Sequence, residues 1–277
     1  MTRPAAGSPL SFFLLLFALS VPFWILDTQV ASVLPAAVPL AVPPSVLMAF
    51  LPAVCALIIT RQASGPNDAK QLLRSAADPS GIRNRAWYLP ILLLMPAITV
   101  VEYGLMRLLH GSLPPIALPL PLALPLLAVF LLTAVGEEIG WQGLAARQLQ
   151  PRLTALQTGL TLGVIWALWH IPGFYRMHPD ISWVAWQCAA TVATRVVIVW
   201  LSNNNGRSLL AAALFHATIN FTVFWPNFGA TYDPALAAVV IGTVAVTVTA
   251  LWGPGTLARY RFAWTRKAHP QSDRRLR

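Results

Sequence analysis

Apolar residues run along this chain in blocks of roughly 20, the length a helix needs to cross a hydrocarbon core about 30 Å thick. The blocks fall at about 10–27, 45–61, 87–109, 123–148, 155–174, 182–202, 208–225 and 235–253. They predict an all-α fold, a polytopic integral membrane bundle of about eight transmembrane helices, with residues 1–277 forming a single membrane domain. Pro35, Pro39, Pro43 and Pro44 break the chain before the second span, which predicts a long outer hairpin or a partly re-entrant segment there. Pro114, Pro115, Pro119, Pro121 and Pro125 act similarly before the fourth. No internal repeat is visible. The first block follows Arg3 and imitates a signal peptide, but its apolar run is too long and no convincing cleavage site follows at once, so it reads as a retained span.

Composition strengthens this picture. Of 277 residues, 57% are hydrophobic and 10% charged, where soluble domains run near a quarter charged. A mean hydropathy of +0.64 leaves too little polar sequence to cover one core in water, whereas lipid accepts an apolar face all round a helix. The net charge of +10 sits in short gaps and at the C-terminus, not on a folded polar domain, which argues against nucleic acid and for contact with membrane lipid. With a cytoplasmic N-terminus, every one of the 19 basic residues except Arg107, Arg176 and Arg195 falls inside. The expected location is the plasma (inner) membrane, multi-pass, with both termini cytoplasmic and residues 254–277 a basic cytoplasmic tail. Cys55 and Cys188 lie far apart in apolar segments and read as packing residues.

Ionisable groups at membrane depth are costly and mark function by default. Those in this chain are Glu102, Glu137, Glu138, His170, Arg195 and His216, with the amide of Asn220. Depth decides which can meet. Counted inward from Arg147, Glu137 lies ~15 Å deep; from Gln157, His170 lies ~20 Å deep; from Arg207, His216 and Asn220 lie ~14 and ~20 Å deep. These groups, on the fourth, fifth and seventh spans, therefore share one layer. His216 and Asn220 are four apart and share a helix face, as do Trp166 and His170. Arg195, ~12 Å in from Asn203, could reach the layer and pair with Glu138. Glu102 is ambiguous, with Arg107 as a candidate partner near the outer face. Singly, a Glu pair reads as a solvated helix end and a lone His as a packed, hydrogen-bonded group; their conjunction at one depth points to a site.

Such a set can activate water. A desolvated carboxylate is a stronger base than a hydrated one, a neighbouring His can share the water, and a second His or an Asn can stabilise an oxyanion. Glu137, His170 and His216 could equally hold zinc, although the His-Glu-x-x-His helix of common zinc proteases is absent. Buried Glu and His also build proton relays, so a transporter is a further reading, against which the missing repeat counts.

The order Glu137-Glu138, then Trp166-x-x-x-His170, then His216-x-x-x-Asn220 on successive helices resembles the CAAX-protease and bacteriocin-processing (CPBP, or Abi) family, whose eukaryotic relatives are the Rce-type prenyl proteases. The likeness covers about residues 123–225, the implied catalytic core. It implies an intramembrane endopeptidase with a cavity open to the cytoplasm, acting on a peptide or lipidated peptide. It further implies that Glu137 activates water with His170, that His216 and Asn220 stabilise the oxyanion, and that Glu138 supports them. The family is often called metalloprotease; a glutamate-driven mechanism without metal is favoured here. Two positions depart from the family pattern: Gln142 stands where it has Arg, and Trp166 where it has Phe. Arg195 is the candidate substitute for the missing charge. Gln142 also keeps open a family member that is no longer catalytic and acts as a membrane partner or immunity factor.

Overall fold

The computed structural model describes residues 8–33, 44–113, 120–223, 231–258 and 260. Arg3, Pro35, Pro39, Pro43, Pro114, Pro115, Pro119 and nearly all of the basic tail, from Arg261 onward, lie outside them. The described chain is helical: α1 (Pro9–Val33), a 3-10 turn (Pro44–Phe50) leading into α2 (Leu51–Ser64), α3 (Pro66–Ser75), α4 (Tyr88–His110), α5 (Leu120–Glu138), a π-helix (Ile139–Ala146), α6 (Arg147–Leu149), α7 (Ala155–Met177), α8 (Ile181–Asn204), α9 (Leu209–Val223) and α10 (Pro234–Trp252).

Every expected span has a helix in its place, but six are long and apolar enough to cross a membrane. The expected spans at 155–174 and 208–225 correspond to α7 and α9, which fall outside those six. For α9 the reason is length, since its 15 residues reach only ~22 Å. Most of α9 is packed inside the bundle: Leu209, Ala211, Ala212, Ala213, Phe215 and Ala217 are buried. The outer helices show the converse, with Leu14, Leu93, Val100, Leu132 and Val246 exposed as lipid-facing side chains would be.

Local chemistry sets the helix ends. Thr154 and Gln157 form a reciprocal capping box at the start of α7. Asp180 and Asp233 accept from the first free N–H groups of α8 and α10. The α3 segment, which the sequence reading leaves as a basic gap, is an amphipathic helix that buries Ala69 and Leu72 and exposes Lys70 and Arg74.

Small residues then set how closely the helices approach. On α7, a Cβ on Gly163 would stand 2.8 Å from Val192 Cα of α8, and one on Gly159 3.1 Å from Val196 Cα. This small-xxx-small spacing lets two backbones meet without lipid between them. Gly136 and Gly140 do the same for α5 and the π-helix against Ala49 and Pro52. The inner half of α8 is the centre of the bundle: 61% of its span is buried, against 22% for α1 and for α10.

One end of the bundle gathers the C-terminal ends of α2, α8 and α10 and the starts of α4, α7 and α9. There Gly81 packs on Asn205 and Ser208, Trp200 meets the rings of Trp87 and Trp252, and Asn203 Nδ2 donates to Thr256 O. Among the described residues this end holds Arg61, Lys70, Arg74, Arg83, Arg85, Arg147, Arg152 and Arg207, while Arg107 and Arg176 lie at the other. The chain is a multi-pass membrane protein with its charge concentrated on one side.

Close packing at Gly163 gives a direct test. Gly163→Ala should cost about 1–3 kcal/mol by overpacking. Gly173→Ala, where a Cβ meets nothing within 4 Å, should be neutral or slightly stabilising. Thermal unfolding of both variants in detergent measures the contrast.

Candidate active site

Glu137 and Glu138 close α5, where the α-helix passes into the π-helix. A π-turn widens the helix and is frequent at functional sites. From there the two carboxylates face different partners. Glu137 is 6% exposed and Glu138 is 0%, as is Arg195, while His216 is 2% exposed. Water therefore satisfies little of this charge, and the protein has to do so.

For Glu138 it does so with two helices. Arg195 Nη1 of α8 donates to both carboxylate oxygens, at 2.9 and 2.8 Å, in an ion pair closed to solvent. His216 Nδ1 of α9 donates to Oε1 at 2.8 Å. An ionised Glu138 can only accept, so this bond places the proton on Nδ1 and directs Nε2 elsewhere. Nε2 stands 4.0 Å from Glu137 Oε1.

Glu137 is held from another side. Trp166 Nε1 of α7 donates to its Oε2 at 2.8 Å. The indole is also the packing hub of the site: the Arg195 guanidinium carbon lies 4.0 Å from its ring centre, and the rings of His170 and His216 meet it edge-on at 5.3 and 5.2 Å. A phenyl ring could pack here, but it has no N–H to hold a carboxylate. His170 donates from Nδ1 to the Trp166 carbonyl at 2.9 Å, which leaves Nε2 as the nitrogen with a free lone pair. Phe174 stacks on His170 at 5.4 Å, one turn along α7.

The structure thus brings Glu137, Glu138, Trp166, Arg195 and His216 into direct contact and sets His170 against Trp166. Asn220 lies one turn beyond His216, half-buried, and makes no side-chain hydrogen bond among the described residues. Gln142 is buried with Oε1 unbonded, and Arg195, not Gln142, carries the charge opposite Glu138. Glu102 is buried with neither oxygen hydrogen-bonded; Arg107 is exposed and does not reach it. Five residues on a helix turn through about 140°, which sends the two side chains to different faces.

Sequence reasoning missed two supports. Trp141 packs against Phe12 and Trp169 and lies 5.9 Å from the Arg195 guanidinium, and Trp169 Nε1 donates to Ser20 Oγ at 2.7 Å, tying α1 to the back of the site. The Trp-x-x-Trp-His run on α7 was the available signal.

Zinc would need Glu137, His170 and His216 to converge at bond lengths of about 2.0–2.2 Å. Among the described residues no three His, Cys, Asp or Glu side chains form a metal-holding group.

Residues 119–222, which contain every group of this site, match the family described as Type II CAAX prenyl endopeptidase Rce1-like. A curated relative, CAAX prenyl protease 2 of Methanococcus maripaludis, is 27% identical over 143 residues, covering 47% of this chain and 53% of that protein. The chain therefore spans about half the length of the relative it matches. Over this central segment the chain resembles the CPBP family of proteases, in its Rce-like branch.

The buried pair predicts a stability signature. Arg195→Met strands the Glu138 charge and should cost about 3–5 kcal/mol. Adding Glu138→Gln to it should recover much of that loss, since both charges are then gone. Unfolding of the single and double variants in detergent checks it.

Proposed function

We propose that this protein is an intramembrane endopeptidase that hydrolyses a peptide bond of a membrane-associated substrate with a water activated by Glu137 and His170. One observation carries the reading. Glu137 has one oxygen pinned by Trp166, while the other stands 4.0 Å from Nε2 of His216, beyond a direct hydrogen bond to it, and is left to accept a proton from a water.

In this reading Glu137 takes a proton from that water, assisted by the free Nε2 of His170, as the water oxygen bonds to the scissile carbonyl carbon. The carbonyl oxygen becomes an oxyanion facing His216 and Asn220. The half-buried Asn220 amide donates to the oxyanion, and the ring of His216 lies beside it. Collapse breaks the C–N bond, and the leaving amine receives the proton held by Glu137. Glu138 acts through His216 by fixing its ring, and Arg195 keeps Glu138 ionised. Residues 123–225 form the core of this machinery. The substrate is a peptide or lipidated peptide; the likeness to CAAX prenyl protease 2 favours a prenylated one. The basic end of the bundle is placed in the cytoplasm of the plasma membrane, with both termini there.

Cleavage of membrane-anchored and prenylated peptides by purified protein tests this. Glu137→Gln and His170→Ala should each lower kcat by about 10²–10⁴-fold with the fold retained. Trp166→Phe should lose about tenfold, the worth of one hydrogen bond to a charged group. Wild-type protein and both site variants cleaving equally would end the proposal. If none of them cleaves, a non-catalytic family member is the better reading, with Gln142 as the departure that marks it.

A further inference from the structure

The basic end of the bundle holds a second polar centre, independent of the proteolytic reading. A cavity of about 180 Å³ is lined there by Gln150, Asn203, Arg207, Gly255 and Thr256, among others. That is on the order of six water volumes. Its walls are hydrogen-bonded to one another: Gln150 Nε2 donates to Asn203 Oδ1 at 3.2 Å, and Asn203 Nδ2 to Thr256 O at 2.9 Å. The turn after α10 is fixed by its carbonyls. Pro254 O and Gly255 O accept from Leu156 N and Ala155 N at the start of α7, and Leu257 O accepts from Asn204 Nδ2. The buried Leu257 anchors it further.

Those bonds leave several donors, beside the unused acceptor Gln150 Oε1. Among the described residues, the N–H groups of Gly255 and Thr256 have no backbone acceptor. Gln150 keeps a second amide hydrogen, and the Thr256 hydroxyl, which accepts from Ala258 N, keeps its own proton to donate. Arg207 brings a guanidinium, and Arg147 is near enough for the two charges to act on each other. Neither arginine has an acidic partner among the described residues, and no Asp or Glu lines the cavity. Arg207 is also held at φ 61°, a left-handed conformation that a branched or long side chain adopts at a cost. Arg207 on the cavity wall, Arg147 near it but off the wall, N–H donors and no carboxylate describe a host for a tetrahedral oxyanion.

We infer that this cavity binds a phosphate group, either the headgroup of a membrane lipid or a free phosphate. The full chain, purified in detergent and stripped of lipid, is titrated with phosphatidic acid, with phosphatidylcholine and with inorganic phosphate, and followed by thermal unfolding and native mass spectrometry. Phosphatidic acid is expected to bind and raise Tm while phosphatidylcholine does not. Inorganic phosphate reproducing the effect would identify a soluble ligand instead. Arg207→Asn removes the charge and suits the left-handed backbone, so it should leave unliganded Tm unchanged or higher while weakening binding about tenfold. Arg152→Gln, an exposed arginine at the same end but off the cavity, should bind as wild type. Two results overturn the proposal: no binding of either phosphate by wild type, or equal weakening by Arg152→Gln and Arg207→Asn, which would reduce the effect to general surface charge.

Discussion

Two adjacent carboxylates inside a lipid-facing bundle impose the central constraint on this fold. An isolated buried carboxylate costs several kcal/mol even after relaxation, and two in sequence cannot point at the same partner. The π-turn after Glu138 and the arrival of α7, α8 and α9 divide the task. Glu138 takes the strong partners, Arg195 and His216, and becomes a fixed ionised group. Glu137 is held by one neutral N–H and keeps a free oxygen. The same residue type thus acquires two settings, one closed in an ion pair and one with an oxygen left open.

That division depends on backbone approach. Arg195 can lie over Trp166 at 4.0 Å only because α7 and α8 meet at Gly159 and Gly163 without intervening side chains. Glycine spacing, indole position and ion pair are links in one chain. The indole then does three things at once: it covers the guanidinium, contacts both imidazoles and donates to the free glutamate.

Much of this was legible before any coordinates. Each apolar block has a helix in its place because lipid exposure writes itself into composition, and counting residues inward from the basic gaps placed Arg195 at the depth of Glu138. The π-helix was not legible, since Ile139–Ala146 has no composition that distinguishes it from an ordinary turn. The α3 helix was hidden because Lys70 and Arg74 mark a gap more strongly than Ala69 and Leu72 mark a face. The donor role of Trp166 was hidden for another reason: a Phe-to-Trp change reads as conserved packing until a carboxylate is seen beside the ring nitrogen. Glu102 and Arg107 show the opposite error, where closeness in sequence suggested a pair that helix geometry forbids.

Glu138 is 57 residues ahead of Arg195 and 78 ahead of His216. When the ribosome delivers α5 to the membrane, its partners have not yet been made. The span must then enter lipid with its carboxylates protonated, or wait in the water-filled translocation machinery until α8 and α9 follow. The ion pair therefore links the timing of insertion to the completion of the site: helices α5 to α9 become a single late-settling unit, and a chain halted after α7 holds a charge with nowhere to go.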